Sequence, residues 1–141
     1  MAQATRYTGK ALNVLWIYSG GTVDLSADFR TLKVSAETDS AESAAGSQTH
    51  KSYIPTLIDS SAELEFLDIT GSTGSTQWMS VAPQMAGTLI WSPQGTTSGK
   101  PKHTCTDAFV INREREIPYD DVVQVTVGWQ FNVAQKDNES W

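Results

Sequence analysis

Val123-Gln124-Val125-Thr126-Val127-Gly128-Trp129-Gln130-Phe131-Asn132-Val133 is the stretch that decides the fold class. Val123, Val125, Val127, Trp129, Phe131 and Val133 alternate with Gln124, Thr126, Gly128, Gln130 and Asn132, a period of two. A helix would scatter these apolar side chains round its circumference, whereas a strand sets them on one face and leaves amides and a hydroxyl on the other. One face belongs to a core and the other to water.

Working outward, Leu12, Val14, Trp16 and Tyr18 share one side of a first strand, and Leu15 and Ile17 lie opposite, so this strand is expected to be covered on both faces. Phe29 to Ala36 sets Leu32 and Val34 against Thr31 and Lys33. Ala62, Leu64 and Phe66 alternate with Glu63 and Glu65, and the parity then switches to Leu67 and Ile69, which predicts a bulge or bend near Phe66. Gly87 to Trp91 and Asp107 to Arg113 bring the total to about six strands. Ser and Thr make up 31 of the 141 residues beside ten Gly and five Pro, a composition of strands and turns. Trp78, Val81 and Met85 recur at helical spacing, so one short helix is expected from about Thr76 to Ala86, capped by Ser75 or Thr76 and ended by Gly87. The predicted fold is all-β, mainly an antiparallel β-sandwich with one flanking helix, in a single domain over residues 1–141.

The segment Ser35 to Ser52 breaks the pattern. It holds no Val, Ile, Leu, Met or aromatic residue, yet carries Glu37, Asp39 and Glu42, so it cannot build a core of its own. It reads as a long polar loop, either a surface loop or an arm that orders on a partner.

Charge and motifs exclude several functions. Sixteen acidic against ten basic residues give a net charge of -6, which gains nothing from neutralising phosphates, so tight nucleic-acid binding is disfavoured. The longest apolar run, Val14 to Tyr18, falls far short of the ~18 residues that cross a bilayer, and no membrane partner is expected. One cysteine forms no internal disulfide, and the start carries no basic stretch followed by a signal-length apolar run. His50 and His103 are the two imidazoles, neither in a catalytic motif, and no glycine-rich phosphate cradle occurs. His103 and Cys105 would share a strand face but lack the other ligands of a closed zinc site, and Asp120-Asp121 lacks the oxygen spacing of a calcium loop. No enzyme and no cofactor is expected. Ile117 to Asp121 reads as a turn between the last two strands, and Arg113, Glu114, Arg115 and Glu116 place both arginines on one face and both glutamates on the other. Trp16 and Trp129 are assigned to the core, Trp78 and Trp91 to the vicinity of the helix, and Trp141 stands alone at the terminus.

Gly87-Thr88-Leu89-Ile90-Trp91-Ser92-Pro93-Gln94-Gly95-Thr96 with Gly99-Lys100-Pro101, then Pro118-Tyr119-Asp120-Asp121-Val122-Val123 and a Gln130-Phe131 strand, resembles the major tail tube proteins of long-tailed bacteriophages. Glu37 to Ile58, with Lys51-Ser52-Tyr53-Ile54-Pro55, is similar to that family's long loop and its return. The resemblance implies a non-enzymatic sandwich that assembles into stacked hexameric rings. Their inner sheets would line a channel through which DNA passes without specific binding. It also implies tail initiator, terminator and tape-measure proteins as partners, assembly in the host cytoplasm, and a place in the virion tail. On this reading Gln124, Thr126, Gln130 and Asn132 meet the lumen beside Glu63 and Glu65, although periodicity leaves open which sheet turns inward. The loop, with Glu37, Asp39, Glu42, Ala44, Ala45 and His50, would contact a neighbouring subunit, its acids meeting cations such as Lys33, Arg113 or Arg115 there. A monomeric binding module and a type VI secretion tube subunit are the alternatives. The chain stops at Trp141 without the extra immunoglobulin-like module of some relatives, so surface decoration is not expected.

Overall fold

A computed structural model describes residues 6–26, 29–43, 46 and 50–141. Its strands are β1 (Asn13–Tyr18), β2 (Gly21–Asp24), β3 (Phe29–Glu42), β4 (Tyr53–Leu67), β5 (Ala86–Ser92), β6 (Pro101–Glu116), β7 (Gln124–Phe131) and β8 (Lys136–Ser140). One α-helix, α1 (Gly71–Ser80), and a 3-10 turn at Gly9–Ala11 complete the elements among the described residues. Every pairing is antiparallel, in the order β2-β1-β5-β6-β7-β4-β3. β6 is long enough to carry β7 along Ala108 to Glu116 and β8 along Pro101 to Thr104.

The strands thus form one hydrogen-bonded sheet, and the layering predicted as a sandwich arises because that sheet folds over itself. Trp16 on β1 and Trp129 on β7 are three strands apart in the sheet, about 14 Å if it were flat. Their ring centroids are 5.7 Å apart, tilted by 50°, and both side chains are fully buried. Val14, Leu64, Phe66, Leu89, Val125 and Val127 fill the space around them. The alternation of β7 therefore does what the sequence predicts: Val125, Val127, Trp129 and Phe131 point inward. Gly87 allows β5 to approach β1, since a Cβ there would fall on the carbonyl of Ile17.

The helix differs from expectation. It begins at Gly71 rather than Thr76 and ends at Ser80, well before Gly87, with Thr70 at the N-cap position. Gly71, Ser72, Thr73 and Gly74 are weak helix formers, which hides the true start. Tertiary contacts override that weakness. Gly74, Gln77 and Ser80 form a buried face, Gln77 Nε2 donates to the Asp24 carbonyl at 3.1 Å, and Trp16 Nε1 donates to the Ser80 carbonyl at 2.8 Å. A Cβ at position 74 would fall on the Ile69 carbonyl, so the helix lies flush there only with glycine.

The bulge predicted on β4 near Phe66 sits instead on its partner: Phe29 pairs with Phe66 and Thr31 with Glu65, leaving Arg30 as the extra residue on β3. β2 and β8 lie outside the six predicted strands, whereas the Ile117 to Asp121 turn joins β6 to β7, the two strands it was expected to connect. Trp91 lies away from the helix, stacked on His103 and Phe131 at centroid distances of 5.6 and 5.8 Å. Trp141 is not alone: its Nε1 donates to Ser92 Oγ at 2.7 Å, and its backbone pairs with Lys100 and Gly99.

The largest correction concerns residues 35–52. β3 continues to Glu42 and pairs with β4 from Tyr53, so most of the predicted loop is a β-hairpin. β7 accompanies β4 only from Ser61 to Leu67, so the hairpin's outer half, Ala36–Glu42 with Tyr53–Ser60, extends beyond β7 as a two-stranded arm. Seven residues of strand give it a length of roughly 20 Å. No helix among the described residues is long and apolar enough to span a membrane.

Candidate assembly surfaces

Two surfaces of the sheet carry the residues singled out from the sequence. The first is the outward face of β4, β7 and β6. Register sets Glu65, Thr126 and Glu114 in one cross-strand row, Glu63, Gly128 and Asn112 in the next, and Leu67, Gln124 and Glu116 in a third. Directly opposed residues share a face. Gln124, Thr126, Glu63 and Glu65 are thereby gathered on one acidic, hydroxyl- and amide-bearing surface, and Glu114 and Glu116 join them. Sequence reasoning had set these two glutamates on the opposite side of their strand from Arg113 and Arg115, and only register shows that this side is shared with Glu65. A shallow depression of about 470 Å³ lies among Glu65, Glu114, Arg115, Glu116, Gln124 and Thr126. Lys33 opposes Glu63 across the β3–β4 ladder.

Gln130 keeps to that face by register, opposite Ser61 and Phe109, but its side chain is tied down. Gln130 Nε2 donates to the Ser60 carbonyl at 2.9 Å and to the Asp59 carboxylate, so it is engaged at the foot of the arm. Asn132 lies past the end of β7, its backbone N–H donating to the Asp107 carbonyl.

The other face of β6 holds the helix. The guanidiniums of Arg113 and Arg115 each lie 3.8 Å from the Trp78 ring centroid, Arg113 donates to the Trp78 carbonyl at 2.8 Å, and Arg115 pairs with Asp68 at 3.3 Å. Both arginines, expected to meet acids of another subunit, are engaged within the chain. His103 Nδ1 lies 2.8 Å from Asp137 Oδ1 and ties β8 to β6. Cys105 is buried; its surroundings push the thiol up, chiefly by desolvation, and its Sγ donates to the Asp107 carbonyl at 3.6 Å.

The second surface is the arm. Leu32 and Val34 on β3 pair with Leu64 and Ala62 on the core side, and the same face continues outward through Ala36 opposite Ser60, Thr38 opposite Ile58, Ser40 opposite Pro55, and Glu42 opposite Tyr53. A bulge at Thr56–Leu57, where the register shifts between Thr38 and Ser40, keeps Pro55 and Tyr53 on that face. The core-side stripe therefore runs on past the core. Tyr53 and Ile58 are 59% and 66% exposed, and Ile54 and Leu57 are exposed beside them. Glu37 and Asp39 lie in the arm with Glu42, and His50 is exposed near its turn; Ala44 and Ala45 lie outside the described residues. The large apolar residues of the arm all come from β4, outside the segment that sequence reasoning treated as the loop.

No family model matches the sequence, and no curated protein does. Solved structures do. A chain of the SPP1 tail tube superposes with a TM-score of 0.71 at 12% identity, over 96% of this chain and 81% of that one. This chain has the tail-tube fold. A chain in the extended-state sheath/tube terminator of an extracellular contractile injection system, PVC, matches with a TM-score of 0.70 at 11% identity over 96% of this chain and 99% of its own. One from the virion of a native gene transfer agent particle matches with a TM-score of 0.69 at 8% identity over 95% and 100%. At such identities the tail-tube fold persists while the side chains differ, so the likeness speaks to architecture. The resemblance drawn from the sequence motifs thus agrees with the structural neighbours.

Proposed function

We infer that the protein is the structural subunit of a phage-type tail tube, without enzymatic activity, located in the virion tail. Copies form hexameric rings that stack into a hollow channel conducting the genome. The observation that carries this reading is the arm: a stable two-stranded extension whose core-side stripe has no core to cover it belongs to a chain completed by other copies of itself. Six-fold assembly is supported by analogy with the tail of an empty GTA particle, described with C6 symmetry, and with the six-fold anti-feeding prophage baseplate. Initiator, terminator and tape-measure proteins are the remaining partners on this reading.

The acidic face of β4, β7 and β6 is assigned to the lumen. Carboxylates there repel DNA phosphates, and hydroxyls and amides offer no net cation to hold them, so DNA passes without binding. Thr126→Lys with Glu65→Lys reverses that local field without touching the core, whereas changes at Gln130 would also disturb the foot of the arm. Tubes of this variant are expected to assemble and to slow DNA ejection; unchanged ejection from fully loaded tails would remove the lumen assignment. Electron microscopy of the purified protein, alone at high concentration or with an initiator complex, is expected to reveal rings or tubes. A protein that stays monomeric under both conditions and is missing from purified tails would overturn the reading.

A further inference from the structure

The arm needs a receiving site, and one part of the body has complementary chemistry. An open groove of about 400 Å³ lies between β3 and the ends of β1 and β5, walled by Leu12, Phe29, Leu32, Val34, Trp91 and Pro93. Arg30, set apart by the β3 bulge, stands exposed on its rim, and Arg6 and Lys10 are exposed next to two further lining residues, Tyr7 and Gly9. The arm presents the converse: Ile58, Pro55 and Tyr53 in a row that ends at Glu42, while Glu37 and Asp39 lie on the opposite face of the same strand. An apolar row with an acidic end matches an apolar groove with a basic rim.

We propose that this groove receives the arm of a second copy of the chain, with Tyr53, Pro55 and Ile58 on its apolar wall and Glu42 against Arg30. The proposal rests on the tube reading and names the partner surface within it. A chain cannot fill its own groove this way. Phe29 to Val34 of the groove and Glu42 of the arm belong to one continuous strand, and eight residues of strand separate Val34 from Glu42 by roughly 26 Å. The contact is therefore heterologous, arm of one copy to groove of the next, the type of interface that propagates rather than closing a two-fold dimer.

Two measurements test it on full-length protein. A photo-crosslinking phenylalanine analogue at position 53, in assembled tubes made from mixed 14N and 15N chains, is expected to give isotopically mixed adducts on peptides containing Tyr7–Leu12, Phe29–Val34 or Trp91–Pro93. Adducts confined to other peptides, or only within one chain, would overturn the proposal. Arg30→Glu is expected to lower tube yield at least tenfold while leaving the circular dichroism spectrum unchanged, and the added change Glu42→Lys is expected to restore it. Normal assembly of Arg30→Glu, or loss of assembly that Glu42→Lys does not restore, would count against the groove. If wild-type tubes form in either case, the tube reading stands while the groove falls; failure of wild-type assembly with an initiator would remove both.

Discussion

The hairpin of β3 and β4 is one continuous ladder with two fates. Its inner half, Phe29–Ser35 with Ser61–Phe66, lies beside β7 and has Leu32, Val34, Ala62, Leu64 and Phe66 on its core side, packed into the cluster that holds the buried tryptophans. Its outer half has the same pairing and the same facing, with Ile58, Pro55 and Tyr53 in solvent. Backbone hydrogen bonds alone are thus sufficient to extend the hairpin once the inner half is anchored, and the side chains of the outer half are free to serve another purpose. The lesson is that pairing and burial are separable within a single strand.

Substitutions can break or sharpen this contrast. The largest effect is expected from Trp129→Ala in the inner layer, which removes the contact with Trp16 and should cost about 3–5 kcal/mol in denaturant unfolding of the monomer. A cost below about 1 kcal/mol would mean that the core is not centred where the two indoles meet. Trp16→Phe keeps most of the volume but loses the hydrogen bond to the Ser80 carbonyl, for an expected loss of about 1–2 kcal/mol and faster amide exchange in the last turn of α1. Exchange unchanged in α1 would show that this bond does not hold the helix.

A smaller effect follows from Cys105. Its thiol titrates higher in the folded state than the ~8.5 of an exposed thiol, so the folded chain holds its proton longer than the unfolded one. Stability is therefore full below that ordinary value and falls as pH rises from it toward the raised folded value. Cys105→Ala should flatten this alkaline slope in unfolding titrations, and the native thiol should resist alkylation until denaturant is added. Rapid alkylation of the folded protein would place the thiol in solvent. The smallest effect on the monomer is expected at the arm. Tyr53→Ser with Ile58→Ser should change unfolding free energy by no more than about 0.5 kcal/mol, while tube yield drops sharply. A large loss of monomer stability would show that the arm packs on its own body and would dissolve the contrast between the two halves.

What the sequence reveals follows the same division. β1, β5 and β7 are legible because burial of one face imposes a period of two on Val14 and Trp16, on Leu89 and Trp91, and on Val125, Val127 and Trp129. The outer half of β3 is illegible because neither of its faces is buried by the chain, so Ser35 to Glu42 carries no alternation to detect. β8 is hidden for the same reason: Lys136-Asp137-Asn138-Glu139-Ser140 holds no apolar residue, and His103 with Asp137 and Trp141 with Ser92 fasten it through polar contacts. The acidic face was half legible. Glu63, Glu65, Gln124 and Thr126 follow from parity, but only strand order brings Glu114 and Glu116 beside them. The groove was beyond reach, because Leu12, Phe29 and Trp91 come from segments far apart in sequence whose proximity depends on how the sheet folds over.

The continuity of β3 also has a mechanical side. Ladder hydrogen bonds in an antiparallel pair run perpendicular to the strands. A pull on the arm along its own axis, such as tension between successive rings would exert, loads these bonds in shear, many at once. A pull directed across the arm would instead open them one pair at a time. An arm set parallel to the tube axis would therefore tie each ring to the next as a tether that resists stretching while still allowing the tube to bend.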